Sequence, residues 1–195
     1  IYAGLTLTLW LCLIIAGNTP LNGLMHAMAT LSTSGISAIG GIEESNVGVP
    51  GEVLVFLFLL FALSRLTFST DTITGRTRGL HEDAEFRIGL MLVVGVPMLL
   101  FMRHWLASFD VNEEENLRQA LKALWGGMFT VLSFLTTTGF VSSEWEAAQG
   151  WSGLATPGMI LMGLALMGGG GATTAGGVKL LRVFTHYLNG LRKMR

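Results

Sequence analysis

Two short clusters of hydroxyl residues, each ending in glycine, are the best placed in this chain to do chemistry. Ser32-Thr33-Ser34-Gly35-Ile36 and Thr136-Thr137-Thr138-Gly139-Phe140 share one plan, and their glycines lie 104 residues apart. A cation stripped of its water needs oxygen ligands in exchange, and backbone carbonyls supply them without adding net charge. Successive carbonyls turn to one side only through unusual dihedrals, which glycine reaches at little cost. A single turn of this kind is an ordinary Ser/Thr cap. Two of them, each after a short amphipathic helix and before a longer apolar run, point to a pathway that binds and releases a bare cation. The expected ligands are the carbonyls of Thr33, Ser34, Thr137 and Thr138, with Ser32, Gly35, Thr136 and Gly139 completing the two segments.

A third motif is the glycine run Gly168-Gly169-Gly170-Gly171-Ala172-Thr173-Thr174-Ala175-Gly176-Gly177. Glycine costs a helix about 1 kcal/mol per residue relative to alanine, so four in succession stop it. Irregular backbone at membrane depth is tolerated only against protein or a water-filled cavity. The run is expected to lie roughly a full apolar run below the turns, on the cytoplasmic side. There a flexible loop obstructs ions in one state and withdraws in another. The run has two rival readings. A phosphate-binding loop wants Gly-Lys-Ser/Thr, whereas Gly176 is followed by Gly177-Val178-Lys179 and no strand precedes it. Close helix packing through small residues is the other.

Other chemistries find little support. The lone Cys12 excludes an internal disulfide and any multi-cysteine metal site. His26, His81, His104 and His186 are scattered, with no pair at metal-ligand spacing. His26, on the first short helix, either orients the adjacent turn or is a structural histidine. No serine has the surroundings of a hydrolase nucleophile, so an enzyme is not expected. A net charge of −1 offers no field for nucleic acid.

The elements that must position these motifs read as membrane helices. The chain is 51% hydrophobic and only 13% charged, with 26 glycines in 195 residues, against about 25% charged in a typical soluble domain. Four apolar runs are expected to span: Tyr2 to Ala16, Glu52 to about Phe68, Phe86 to Leu106, and Trp151 to Met167. Leu21 to Leu31 and Leu117 to Leu135 are expected to enter the membrane and turn back. Asn18 or Asn22 is a candidate cap for the first, and Glu113 to Glu115 with Asn116 begin the second. Pro50 and Pro157 sit near the starts of the runs that follow the turns, where proline is tolerated. Arg65, Arg76, Arg78, Arg87, Lys179, Arg182, Arg192, Lys193 and Arg195 assign their loops to the cytoplasm. Glu43, Glu44, Asp110, Glu113 to Glu115, Glu144 and Glu146 face the other side, as a cation-concentrating or merely solvated rim. The chain therefore divides into a repeat at 1–80, with its turn at 32–36, and a repeat at 81–195, with its turn at 136–140 and a broken helix at 168–177. Repeats of this kind commonly place a transport site at their interface. Starting at Ile1 inside an apolar run, the chain reads as a fragment of a longer protein.

These motifs together resemble the Trk/Ktr/HKT superfamily of potassium transporters. The resemblance is carried by Leu24 to Ser37, by Leu117 to Phe140, by Glu85-Phe86-Arg87 and by Gly168 to Arg182. It implies an all-α membrane fold of helix, pore helix, filter loop and helix, repeated as in tetrameric potassium channels. It implies potassium as the transported ion, four repeats per complete chain of which these are the second and third, and one filter glycine in each. It also implies a homodimer in the cell (inner) membrane, a channel or symporter regulated by a cytoplasmic nucleotide-binding subunit. Ser64-Arg65 departs from the small pair frequent in the family, and Ser34 and Ile36 stand where Gly and Phe are common. The alternative function is a membrane assembly or regulatory subunit that conducts nothing by itself.

Overall fold

The computed structural model describes residues 2–63, 83–107, 113–153 and 156–193, with side chains at 103–107, 113–117 and 151 left aside. Arg65, Arg76, Arg78, His81, His104, Asp110 and Arg195 lie outside what is described, as does the end of the second apolar run.

Every regular element among the described residues is helical. Helix α1 (Tyr2–Ile15) runs through the first apolar stretch and buries Leu9 and Leu13. Helix α2 (Pro20–Ser32) follows at once. Its cap differs from expectation. Thr19 is the N-cap, without a side-chain cap bond, and Pro20 occupies the first turn, where a missing N–H costs nothing. Neither asparagine caps it; Asn18 Nδ2 instead lies 3.2 Å from His26 Nδ1. Helix α3 (Gly48–Leu60) continues into a 3-10 turn, Phe61–Leu63. Helices α1, α2 and α3 pack against one another.

Helix α4 (Ala84–Ala107) holds the one stretch among the described residues long and apolar enough to cross a membrane by itself, Ala84–Met102. Tyr2–Ile15, Gly48–Leu63 and Gly158–Met167 are shorter apolar helices. Helix α5 (Glu113–Leu135) packs on α4 and reaches across to α3. At 23 residues it is about 34 Å long, longer than expected for a segment that only enters and returns.

The fourth apolar run is corrected. Trp151 to Met167 is not one helix. A short helix α6 (Trp145–Ser152) ends on Gly153 at φ 58°, and α7 (Gly158–Met167) begins only after Pro157. Glycine in the left-handed region ends α6, and proline presets the start of the next helix. At 10 residues, α7 rises only about 15 Å. Helix α8 (Leu180–Lys193) follows the glycine run and packs on α4. Its apolar and basic residues occupy opposite faces, with Leu181, Tyr187, Leu188 and Leu191 exposed.

Leu9, Leu13, Val55, Leu59, Val93, Phe129, Leu132 and Leu135 form the centre of a core shared by both halves of the chain. Large apolar side chains such as Met91, Leu99, Met159 and Met162 remain on the outside, an arrangement expected where the surroundings are lipid rather than water.

Candidate functional site

Both hydroxyl-glycine turns grow from helix ends of the same design. At the end of α2, Thr33 takes φ 49°, its N–H donates to the Thr30 carbonyl, and the Ser34 N–H donates to that of Ala29. At the end of α5, Thr137 takes φ 61°, its N–H donates to Phe134, and the Thr138 N–H donates to Ser133. Each is a Schellman closure, which normally places glycine at the left-handed position. A β-branched residue there is strained. Two residues on, Gly35 at φ 64° and Gly139 at φ 84° repeat the left-handed turn. Positive φ therefore recurs at alternate residues, the pattern that swings successive carbonyls to one side.

The side chains agree in register. The Ser32 hydroxyl donates to the Met28 carbonyl at 2.7 Å and lies 3.0 Å from Ser34 Oγ. The Thr136 hydroxyl donates to the Leu132 carbonyl at 2.9 Å and lies 3.0 Å from Thr138 Oγ1. Each pair is offset by the same 104 residues that separate the glycines. Among the described residues, no donor reaches the carbonyl oxygens of Thr33, Ser34, Thr137 or Thr138. The C-terminal ends of α2 and α5 bring their negative dipole ends to these turns, an attraction for cations.

The turns meet. A Cβ on Gly35 would overlap the Thr138 carbonyl oxygen, whereas one on Gly139 would meet nothing within 4 Å. His26 packs edge-on against Phe140 of the other turn, ring centroids 5.7 Å apart, and its Nε2 lies 2.8 Å from Ser37 Oγ just past Gly35. In the second turn the corresponding tie runs from the Ser142 N–H to Thr130 Oγ1, at 3.4 Å.

The glycine run sits closer to the turns than its sequence position suggests. It does not lie an apolar run away. Thr174 donates to the Leu31 carbonyl at 3.0 Å, and the Gly176 N–H donates to Thr137 Oγ1 at 2.6 Å, so the loop touches the feet of both turns. Helix α7 is too short to carry it farther. The loop closes on itself: a Cβ on Gly168 would overlap the Gly176 carbonyl, and one on Gly177 would overlap Gly168. The Val178 and Lys179 N–H groups return to the carbonyls of Leu166 and Met167. The Gly170 N–H donates to Ala62, and the Lys179 ammonium to Ala175. Of the other loop residues, Gly169 lies against Ala62 and Thr136, and Thr173 donates to the Gly170 carbonyl. Ala172 takes φ 55°.

Two carboxylates brace this assembly, and neither was singled out for that role from sequence. Glu85, buried at the start of α4, accepts the Gly171 N–H at 3.0 Å, and its other oxygen has no hydrogen-bond partner among the described residues. Glu52 on α3 is 1% exposed and bridges to the segment leaving the second turn. Gly126 permits that segment's approach, since a Cβ there would collide with the Glu144 backbone. On the rim, Lys122 pairs with Glu144 at 3.1 Å. Glu43 is raised above the usual carboxylate range by desolvation and then by the charges of Glu44, Glu52 and Glu146. Among the described residues, no group of three or more His, Cys, Asp or Glu side chains could hold a metal ion.

No family model matches the chain. It is 29% identical over 201 residues to the Trk system potassium uptake protein TrkH of Halomonas elongata, covering all of this chain and 38% of that protein. It is 27% identical over 187 residues to TrkI of the same organism, covering 93% of this chain and 34% of the relative. To TrkH of Escherichia coli K12 it is 26% identical over 200 residues, again covering 38% of that protein. The chain thus spans less than two fifths of the length of these relatives. The crystal structure of the potassium transporter TrkH from Vibrio parahaemolyticus superposes with a TM-score of 0.76 at 20% identity, over 98% of this chain and 39% of that one.

The fold is accordingly that of an all-α membrane transporter. The sequence relatives carry the assignment further: the resemblance read from the motifs holds, and the chain is related to the Trk-type members of the Trk/Ktr/HKT superfamily. Those relatives are named as transporters, not as enzymes.

Proposed function

We propose that this chain supplies two of the four sides of a potassium-uptake pathway through a cell membrane. Residues 1–80 and 81–195 are then two repeats, with α2 and α5 as pore helices. The turns Ser32 to Gly35 and Thr136 to Gly139 are two walls of a selectivity filter. Carbonyls of Thr33, Ser34, Thr137 and Thr138 replace water around the ion, and sites of graded affinity let it enter and leave. The other two walls come from the remainder of a longer chain, and two such chains form a homodimer in the inner membrane. The loop Gly168 to Gly177 is the gate, and a cytoplasmic nucleotide-binding subunit acts through it.

One observation carries this reading. Two turns 104 residues apart share the same alternating left-handed backbone and are brought together with their carbonyls unclaimed by donors among the described residues. The names of the relatives supply the ion.

The test is potassium and sodium uptake into liposomes by the full-length protein and by Gly139→Asp. The expected result is potassium-preferring uptake that the variant loses while keeping wild-type elution and melting behaviour. A folded wild-type protein that passes neither ion would leave the non-conducting subunit in its place.

A further inference from the structure

We infer that Glu52 is a positioning residue for the second turn, setting ion discrimination from outside the pathway. This deepens the filter reading and rests on it. Glu52 belongs to α3, in the first half of the chain, yet among the described residues every hydrogen-bond partner of its carboxylate lies in the second half. Oε2 accepts the Trp125 indole N–H at 2.9 Å and the Ser142 hydroxyl at 2.7 Å. Oε1 accepts the Ser143 N–H at 2.6 Å and the Ser143 hydroxyl at 2.7 Å.

These four donors bracket one segment. Trp125 stands on α5, which leads into the turn, and Ser142 and Ser143 stand on the irregular segment that leaves it. A carboxylate whose two oxygens receive four donors occupies all its acceptor positions. Its bonds to charged oxygen are individually stronger than neutral ones. The ring of Trp125 is itself held against Phe56 of α3 at 5.4 Å between centroids. The entrance and exit of the turn are therefore fixed to the same two oxygens, and the spacing between them fixes the Thr137 and Thr138 carbonyls. Among the described residues, no carboxylate holds the first turn in this way. It is tied by the contact of His26 Nε2 with Ser37 Oγ. The two walls are thus held with unequal stiffness, and Glu52 is the stiff one.

The experiment compares potassium with sodium flux in liposomes holding the full-length protein, its Glu52→Gln and Glu52→Asp variants, and Ser143→Ala. Glu52→Gln turns an amide NH2 toward groups that can only donate or prefer to donate. It should lower the potassium-to-sodium flux ratio about tenfold, the equivalent of one lost charged hydrogen bond. Glu52→Asp, which keeps the carboxylate, should fall between the two, and Ser143→Ala should lower the ratio about threefold. Melting temperature and elution volume report whether each variant is folded. A folded Glu52→Gln protein with an unchanged ratio, or with both fluxes reduced alike, overturns the inference. Should Glu52→Gln not fold, an unchanged ratio in Ser143→Ala overturns it instead. Wild-type protein that does not discriminate between the ions overturns the filter reading first, and this inference with it.

Discussion

At the scale of the residue, the two glycines are not equivalent, although they share a place in the pattern. Alanine at Gly139 meets open space but must adopt φ 84°, a strain of roughly 1–2 kcal/mol. Alanine at Gly35 adds to that strain an overlap with the Thr138 carbonyl oxygen of the facing turn. Gly139→Ala should therefore retain reduced, still potassium-selective uptake, and Gly35→Ala should abolish it; rubidium influx into transporter-deficient cells, normalised to protein in the membrane, distinguishes them. Both glycines were legible in the sequence because two hydroxyl runs end in glycine 104 residues apart, each after an expected short helix. Thr33 and Thr137 in the left-handed region were not, since threonine is the residue least expected there. Glu52 was also hidden. It reads as the first residue of an apolar run, and its donors follow 73 or more residues later, beyond the reach of any local pattern.

At the scale of the element, the glycine loop is held by few contacts to the turns. Among the described residues, Thr174 to the Leu31 carbonyl and Gly176 to Thr137 Oγ1 are the hydrogen bonds that join them. A single neutral hydrogen bond contributes about 0.5–1.5 kcal/mol. On the gating reading, Thr174→Ala should thus shift the loop toward a withdrawn state and raise potassium flux a few-fold, with the potassium-to-sodium ratio kept. Deleting Gly168 to Ala172 should raise it further; flux at or below wild type in both would remove the loop from gating. The break in the helix was plain from four successive glycines. Its place beside the turns was not, because that depends on α7 being 10 residues long; Pro157 marked the start of a run, but nothing in the apolar pattern marked the stop at Gly153. Helices α1, α2, α4 and α5, by contrast, follow from hydropathy and its interruptions, which is why their expected bounds lie within a few residues of the observed ones.

At the scale of the whole molecule, a bound ion that requires both turns should stabilise the folded protein. Ligand binding adds RT ln(1 + [L]/Kd), about 2.7 kcal/mol at a hundredfold excess over Kd. The full-length protein should therefore melt higher in potassium chloride than in sodium chloride of equal ionic strength, and Gly139→Asp should erase the difference; equal melting of wild type in both salts would speak against an ion site shared by the turns. The crossing of Gly168 with Gly176 and Gly177 has a further consequence at this scale. Strands that touch at one point form a cinch, and a cinch is either drawn tight or let go. On the gating reading, current through one molecule would then step between two amplitudes, without intermediate sublevels, however gradually the regulator's concentration is changed.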